Sequence, residues 1–444
     1  MALTGLDIFK LLPKTNCKKC GVPTCLAFAM ALAQKRAKLD DCPFVSQEAK
    51  DKLAAAAAPP MRKITFGAGA STVAVGQETV MFRHEEKFHN PAVLAVTISD
   101  KLTGEALTKR IEAVKALQFE RVGTKIGIKA IAVVNESGSA DAFAKTVQIV
   151  NDAGLALILV SDSPDAVSSA VARTSQAVPL IAGATLDNAE KMTKIAKENK
   201  CPIAAKAESI DALAQLTEKI KSQGVEDIVL CLEGLTLRDR LYGLSRMRSL
   251  ALKKSFRPLG YPVMSLVRDG DAERQAGAGA ALICKYSNIV VVDTDKPYAI
   301  LPMLTAVMNI YSDPQKPVQV EPKVYQVGEP DENSPLMFTT NFSLTYYTVE
   351  SDVEASRVPS RILVVDTEGT SVLTAYSGDK LNEKTVAEAM AKYGVDRLVK
   401  HRKLIIPGYV AVMSGKLEEA TNWDILVGPR ESAMLPKYLR EVWK

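Results

Sequence analysis

Residues 155–184, LALILVSDSPDAVSSAVARTSQAVPLIAGA, contain a strand, a helix and a second strand in turn. The run Leu155–Val160 is apolar throughout, which is typical of a strand buried on both faces of a sheet. Ser163 followed by Pro164 indicates a helix start, because serine caps free backbone amides and proline is tolerated at the first helical position. A second apolar run begins at Pro179. The same alternation continues in both directions along the chain.

Eight apolar runs of strand length lie within residues 93–312. They are Val93–Ile98, Ile131–Val134, Leu155–Val160, Pro179–Ile181, Pro202–Ala205, Ile228–Leu232, Pro262–Leu266 and Ile289–Val292. Helical segments separate them, and in one of these Asp187 and Glu190 predict a capping box. Eight strand–helix units in about 220 residues match a closed (β/α)8 barrel of the TIM type in number and length.

Residues 336–444 repeat the strand–helix rhythm in a different layout. The strand candidates are Leu336–Thr340, Arg361–Val365, Lys403–Ile406 and Asp424–Val427. Each precedes a loop of small residues and a helix, which predicts an open, doubly wound α/β sheet of the Rossmann-like kind. Such sheets bind ligands at the carboxyl ends of their strands. The proline-rich stretch 313–335 is predicted to be a linker between this domain and the barrel.

Four of the seven cysteines fall close together near the amino terminus: Cys17, Cys20, Cys25 and Cys42. Four thiolates in so short a stretch can hold one metal or cluster. The spacing is neither that of the bacterial ferredoxin run nor the two C-x2-C pairs of a zinc ribbon. A 4Fe–4S cluster is favoured, with structural zinc or unligated cysteines as the alternatives. We therefore predict a cluster domain over residues 1–60, with Ala54–Pro60 as a tether. Residues 61–92 follow as a connecting segment in which KITF and TVAV can form a hairpin.

Composition excludes several classes of protein. The net charge of +5 is spread along 444 residues, which argues against a nucleic-acid-binding surface. No apolar run approaches the ~20 residues that a membrane-spanning helix needs. The sequence MALTGLDIFKLLPKTNC lacks the pattern of a secretory signal, so we expect a cytoplasmic protein.

Polar residues follow the predicted barrel strands, where a barrel places its ligand-binding face. They are Ser99, Asp100, Asn135, Glu136, Ser161, Asp162, Glu233 and Asp293. No acid–base set stands out among them. An active site and a surface for a protein partner therefore both remain open.

Three groups of motifs together resemble one family. They are TNCKKCGVPTCLAFA with Cys42 and Pro43, GQETVMFRHEEKFHNP before the barrel, and TNFSLTYYTVESD with GPRESAMLPKYL near the carboxyl end. The chain is similar over its whole length to the large (gamma) subunit of the corrinoid/iron–sulfur protein of the anaerobic acetyl-CoA (Wood–Ljungdahl) pathway. That resemblance implies a methyl carrier, the methyltransferase component of this carbon-fixation pathway, with no catalytic side chain of its own.

The resemblance also implies cofactors and site residues. Cys17, Cys20, Cys25 and Cys42 would ligate a 4Fe–4S cluster, and residues 336–444 would bind a corrinoid. The candidate corrinoid contacts are Thr340, Tyr346, Thr370, Ser371, Val372, Leu373 and Ala433. Cobalt would accept a methyl group from methyltetrahydrofolate through a separate methyltransferase and donate it to acetyl-CoA synthase, while the cluster returns Co(II) to Co(I). A smaller barrel subunit would complete a heterodimer.

A corrinoid that is base-off and has no histidine ligand fits residues 336–444, whose one histidine, His401, precedes a predicted strand rather than following one. Two other functions remain open: a pterin-binding barrel methyltransferase with an accessory cluster, and an iron–sulfur electron-transfer protein. Under the carrier hypothesis, the tether and the proline-rich linker would let the cluster and corrinoid domains move about a fixed barrel.

Overall fold

The computed structural model describes residues 5–34, 36–46, 49–50, 53, 59–174, 177–234, 236–268 and 270–443. The chain divides into two compact units. The first comprises Met1–Phe119 and Ile126–Tyr311, and the second comprises Glu120–Lys125 and Ser312–Lys444. Ala54–Ala58 of the predicted tether lie outside the described residues.

The strands, in chain order, are β1 (Lys63–Phe66), β2 (Val73–Gly76), β3 (Val93–Ser99), β4 (Gln118–Arg121), β5 (Thr124–Gly127), β6 (Ala130–Val134), β7 (Ala156–Val160), β8 (Leu180–Ala184), β9 (Ile203–Ala207), β10 (Ile228–Leu232), β11 (Val263–Val267), β12 (Ile289–Val292), β13 (Val324–Val327), β14 (Leu336–Thr340), β15 (Ser360–Val365), β16 (Lys403–Ile406) and β17 (Asp424–Val427).

The α-helices are α1 (Gly5–Leu11), α2 (Cys25–Ala33), α3 (Gly104–Lys115), α4 (Ala140–Asn151), α5 (Pro164–Val171), α6 (Ala189–Asn199), α7 (Ile210–Ser222), α8 (Leu237–Lys253), α9 (Ala272–Cys284), α10 (Pro297–Tyr311), α11 (Ser343–Ser356), α12 (Val372–Ser377), α13 (Glu383–Lys392), α14 (Ser414–Thr421) and α15 (Leu435–Val442).

The predicted barrel is confirmed. Strands β3 and β6 to β12 are parallel, follow one another in chain order and close by the pairing of β12 with β3. Each strand is buried on both faces, as its continuous apolar sequence predicts. Alternate residues such as Leu94 and Val96 pack outward under the helices, while Val93 and Ala95 point into the barrel.

A β1–β2 hairpin plugs the amino end of the barrel, which confirms the hairpin predicted for KITF and TVAV. Ile64 and Phe66 are fully buried and belong to the same apolar cluster as the barrel interior. The backbone amide of Gly67 donates to the carbonyl of Val178 (2.9 Å), just before β8. Many interior side chains are alanines, and the larger hairpin residues fill the space that these leave.

The starts of two barrel helices differ in how well they match the sequence prediction. Ser163 caps α5 as predicted, accepting from the amide of Ala166 at 3.3 Å. The predicted capping box at Asp187 and Glu190 is wrong, because α6 begins one residue later and Asn188 occupies the N-cap position. The Asn188 side chain instead accepts from the amide of Thr185 (2.7 Å) and donates to the carbonyl of Asp162 (2.9 Å).

A hairpin that the sequence did not predict lies between the first helix of the barrel and the second barrel strand, β6. Helix α3 ends at Lys115, and β4 and β5 follow, joined by Val122 and Gly123, both with positive φ (49° and 66°). A two-residue turn of this kind matches the twist of the flanking strands. The apolar residue at the first turn position hides the signal, because asparagine or aspartate is the residue expected there.

The second unit contains a five-stranded sheet in the order β13, β15, β14, β16, β17. The structure has strands at the four predicted positions, and these are mutually parallel. Residues 324–327, inside the predicted linker, form β13 and pair antiparallel with β15. Helices α12 to α14 pack on one face of the sheet, and α11 and α15 on the other.

The amino-terminal part of the first unit has a small core of its own. Helices α1 and α2 pack together through Ile8 and Phe28, and Leu12, Cys25 and Cys42 belong to the same cluster. Among the described residues, no helix combines the length and apolar character needed to cross a membrane.

Candidate functional sites

The loop between α1 and α2 carries the first predicted metal ligands. Lys14, Asn16 and Lys18 adopt left-handed backbone conformations (φ between 50° and 62°), as does Gly21 (φ 80°). Left-handed backbone is costly for most non-glycine residues, so contacts must hold the loop in this shape. One such contact is the hydrogen bond from the amide of Cys25 to Oδ1 of Asn16 (2.8 Å).

The four predicted cluster ligands are free thiols with different surroundings. Cys25 and Cys42 are buried in the amino-terminal core, and Cys20 packs against it. Cys17 lies nearer the surface, where the amide of Lys19 and the hydroxyl of Thr15 lower the pKa of its thiol. A lowered pKa favours the thiolate, which is the form that binds metal.

The structure brings three of these cysteines to one core but does not assemble a ligand set. In the part of the chain that the structure describes, no three cysteine, histidine or acidic side chains stand close enough together to hold a metal ion. The assignment of the four cysteines as ligands therefore stays a prediction.

A cavity of about 320 Å³ opens at the carboxyl ends of β14, β16 and β17 in the second unit. The start of α11, the start of α12 and the loops after β16 and β17 form its walls. It is lined by Met337, Phe338, Thr339, Leu344, Thr345, Thr348, Val349, Ser371, Val372, Leu373, Ile405, Ile406, Pro407, Tyr409, Gly428, Pro429, Arg430, Glu431, Ser432 and Leu435.

Of the predicted pocket residues, Ser371, Val372 and Leu373 line this cavity. Thr340 lies outside its lining and is fully buried. Its Oγ1, like that of the lining residue Thr339, has no hydrogen-bond partner among the residues that the structure describes.

Three other predicted pocket residues also lie outside the lining. Tyr346 is buried in the adjacent core, where its hydroxyl donates to Glu350 at 2.6 Å. The hydroxyl of Thr370 donates to the carbonyl of Thr367 (2.7 Å). Ala433 is exposed, and its chain neighbour Ser432 lines the cavity.

Asn341 holds the loop that leads to Ser371, and sequence reasoning missed it. Its Oδ1 accepts from the amides of Thr367 (3.0 Å) and Gly369 (2.9 Å), and its Nδ2 donates to Asp366 at 2.9 Å. The side chain is fully buried at the end of β14. An asparagine directly after a buried strand was the available signal.

The rim of the cavity is apolar and open to solvent. Leu344 is 57% exposed and Leu373 is 47% exposed, and both line the cavity together with the exposed ring of Tyr409. The hydroxyl of Tyr409 donates to Glu431 at 2.5 Å, which raises the pKa of the tyrosine. Large apolar side chains clustered in the open mark a surface that binds something.

The loops after β16 and β17 touch through their backbones. A Cβ on Gly408 would lie 2.5 Å from the carbonyl oxygen of Gly428 and 2.8 Å from the amide of Arg430. The amide of Gly408 donates to the carbonyl of Pro429 at 3.1 Å. Glycine at position 408 therefore sets the shape of this side of the cavity.

The carboxyl end of the barrel carries a second polar region, built from the predicted strand-end residues. Arg268 bonds both Glu136 and Asp293, the latter at 3.0 Å. Ser99 donates to Glu136 and Thr97 donates to Asp293, each at 2.6 Å. Asp100 accepts from the amides of Glu136 and Ser137. Most of these polar groups find their hydrogen-bond or ion-pair partners within the same region. These contacts fix the loops at the carboxyl end of the barrel.

Two family models match the chain. The one described as CO dehydrogenase/acetyl-CoA synthase delta subunit matches residues 63–439, and the one described as putative Fe–S cluster matches residues 12–44. The corrinoid/iron–sulfur protein large subunit of Moorella thermoacetica is 43% identical over 441 residues, which cover 99% of each chain. This chain belongs to the corrinoid/iron–sulfur protein large-subunit family. The family resemblance predicted from the motifs is confirmed.

The family extends to archaea. The acetyl-CoA decarbonylase/synthase complex subunit gamma of Methanothermobacter thermautotrophicus is 36% identical over 452 residues, which cover 99% of each chain. Among solved structures, a dihydropteroate synthase from Thermus thermophilus matches 57% of this chain and 100% of its own, with 14% identity and a TM-score of 0.40. A likeness that weak supports no functional conclusion.

Proposed function

We propose that this chain is the large subunit of a cytoplasmic methyl-carrying corrinoid/iron–sulfur protein, with a 4Fe–4S cluster in residues 1–60 and a corrinoid in residues 336–444. The observation that carries the proposal is the apolar-rimmed cavity at the carboxyl ends of β14, β16 and β17. Sheets of this kind bind ligands at that edge.

The cavity suits a large ring with apolar faces and amide substituents. Leu344, Val372 and Leu373 offer apolar contact, and the small residues Ser371 and Gly428 let backbone approach closely. Thr339 lines the cavity and its buried hydroxyl has no partner among the described residues, so an amide of the ligand would complete its hydrogen bonding. When bound, the corrinoid supplies a cobalt that carries a methyl group, and the cluster supplies the electron that keeps that cobalt active.

The position of His401 supports a corrinoid without a protein histidine ligand. Its Nε2 bonds the carbonyl of Ser334 at 2.9 Å and its Nδ1 accepts from the amide of Lys403. The ring also packs edge-on against Trp443. These contacts lie at the amino ends of β14 and β16, the opposite edge of the sheet from the cavity. No histidine is among the residues that line the cavity.

For the cluster, we propose Cys17, Cys20, Cys25 and Cys42 as ligands. The lowered pKa of Cys17 and the shared core of Cys20, Cys25 and Cys42 support the assignment. We further propose a heterodimer with a small subunit, and methyl transfer from a methyltetrahydrofolate-dependent methyltransferase to acetyl-CoA synthase. The exposed rim of the cavity supplies apolar area for such partners.

Two substitutions in the full chain test the two cofactor sites separately. Cys25→Ser should lower the iron content of the anaerobically purified complex and leave cobalt unchanged. Leu373→Arg, which places a charge in the apolar wall, should remove cobalt and leave iron unchanged. Iron and cobalt are measured by metal analysis, together with the visible spectrum of the complex.

The matched controls are Cys284→Ser, an exposed cysteine in α9, and Val442→Arg, an exposed valine at the far end of α15. Both should keep iron and cobalt. A wild-type complex that contains iron but no cobalt would support the electron-transfer alternative instead. Cobalt that survives Leu373→Arg would place the corrinoid elsewhere.

A further inference from the structure

The barrel mouth contains a cup that the carrier function does not use. Its volume is about 560 Å³, and it lies at the carboxyl ends of β6, β7, β9, β10 and β11. Its polar lining includes Asn135, Asp162, Lys206, Glu233, Arg240 and Arg268. These residues come from five different strands or the segments that follow them, so barrel closure alone brings them together.

Not every charge in the cup is balanced. Lys206 pairs with Asp162 at 2.6 Å, and Arg268 pairs with Glu136 and Asp293. Arg240 donates to the carbonyl of Leu266 at 2.6 Å and has no acidic partner within ion-pairing distance in the described ranges. Burial, followed by the nearby charge of Asp162, raises the pKa of Glu233. The charge of Arg240 is therefore not neutralised by an ion pair within the described residues.

Two buried polar atoms on the wall of the cup find no partner in the part of the chain described. One is Nε of Arg240, which needs an acceptor, and the other is Oδ1 of Asn135, which needs a donor. The amide of Asn135 is oriented by its Nδ2, which donates to Ser161 at 3.0 Å. Buried groups left without partners cost stability, so their presence at a cavity marks a place that a ligand can complete.

The two unpaired atoms differ in hydrogen-bonding role, because Nε of Arg240 is a donor and Oδ1 of Asn135 is an acceptor. This difference selects the ligand class. A carboxylate such as acetate accepts hydrogen bonds but gives none, so it would satisfy Arg240 and leave Asn135 unpaired. A ligand with an N–H next to a carbonyl satisfies both. Val134, Val160 and Leu266 also line the cup and offer apolar contact to the faces of a flat ring.

We propose that the barrel mouth binds a lactam-type nitrogen heterocycle, with the carbonyl oxygen on Arg240 and ring N–H groups on Asn135 and Glu233. The cup shares no lining residue with the cavity of the second unit, and the proposal stands whether or not the carrier function does. It assigns to the barrel a small-molecule site in addition to its structural role.

The test is equilibrium binding to the full chain in its complex, measured by isothermal titration with uracil, hypoxanthine and pterin as probes. Purine, which lacks the carbonyl of hypoxanthine, and acetate, which has no hydrogen-bond donor, serve as matched negative probes. At least one lactam should bind saturably with one site per chain. It should bind at least about tenfold more tightly than purine or acetate, the factor expected for a well-placed hydrogen bond to a charged group.

Two variants locate the site. Glu233→Gln and Asn135→Leu should each weaken lactam binding at least about tenfold, while Glu198→Gln, an exposed carboxylate on α6, should leave it unchanged. A thermal melt of each variant shows that it is folded. Absence of saturable binding by all three lactams overturns the proposal. So does binding that both cup variants retain, and so does acetate binding as tightly as the lactams.

Discussion

At the scale of single residues, Asn341 holds the backbone of residues 367–369, which lead to the cavity wall at Ser371. It satisfies two backbone amides and one hydroxyl of the segment 367–369 from a position with no solvent exposure. Three donors share one buried acceptor, Oδ1 of Asn341. If that oxygen is removed, water can reach the three donors only when the segment 367–369 opens.

Asn341→Ala should therefore destabilise the second unit by about 2–4 kcal/mol. Hydrogen exchange followed by mass spectrometry should show faster exchange at the amides of Thr367 and Gly369. Asn333→Ala, an exposed asparagine in the same unit, is the control and should leave that exchange unchanged. Equal exchange in Asn341→Ala and the wild type would show that the loop does not depend on this side chain.

Glu233 predicts a pH dependence. Burial raises the pKa of its carboxyl above 4.5, so the folded protein binds this proton more tightly than the unfolded chain. Stability from this group is present at low pH and is lost as pH rises from about 4.5 through the folded pKa. Glu233→Gln should remove that slope, so the difference in Tm between wild type and variant should shrink or change sign between pH 5 and pH 8. A difference that is constant with pH would contradict the assignment.

At the scale of elements, the β1–β2 hairpin is the part that completes the barrel interior. Phe66 is fully buried there against a wall rich in alanine. Phe66→Ala would leave a cavity that small neighbours cannot fill, and should cost about 3–5 kcal/mol. Phe256→Ala, a partly exposed phenylalanine of the same unit, should cost much less. Urea unfolding measures both, and equal losses would mean that the hairpin does not contribute to the core.

The contact between the loops after β16 and β17 gives a second prediction at this scale. Gly408→Ala forces a Cβ against the carbonyl of Gly428, so the loops must separate. Stability should fall by about 1–3 kcal/mol, and cobalt retention should fall with it. Gly415→Ala is the matched control, because a Cβ there meets no atom within 4 Å. If both variants behave like the wild type, the two loops are free to separate at no cost.

The eight barrel strands and the four parallel strands of the second sheet were predictable, because their continuous apolar runs recur at a regular spacing along the chain. The β4–β5 hairpin and the edge strand β13 were not. Valine at position 122 is not a residue expected in a tight hairpin turn, so the first was not recognised. Five surrounding prolines predict a linker rather than a strand, so the second was not recognised either. In both cases pairing with a neighbouring strand, rather than the local propensity of the sequence, stabilises the strand.

At the scale of the whole molecule, the carrier proposal requires movement. One fixed orientation cannot present the same cobalt to a cluster, a methyltransferase and acetyl-CoA synthase. We therefore expect the cluster domain and the corrinoid domain to move as separate bodies about the barrel. A reversible crosslink that ties the second unit to the barrel should slow methylation or reductive reactivation strongly while iron and cobalt stay bound. Cleaving the crosslinker should restore the rates, and unchanged rates in the crosslinked protein would refute the moving-domain mechanism.

The amino-acid sequence by itself determined the barrel, the four parallel strands of the second sheet and the family. Each of these rests on patterns that are local in the chain: apolar runs, a helix cap, a group of cysteines within a few dozen residues. The tertiary structure alone decided that Asn341 holds the loop before Ser371, and that Asn135, Glu233 and Arg240 meet in one cup. These residues are far apart in sequence, and closure of parallel strands brings only their carboxyl ends together. Residues that meet from distant strands have no characteristic spacing in the sequence, so the sequence alone does not predict that they are in contact.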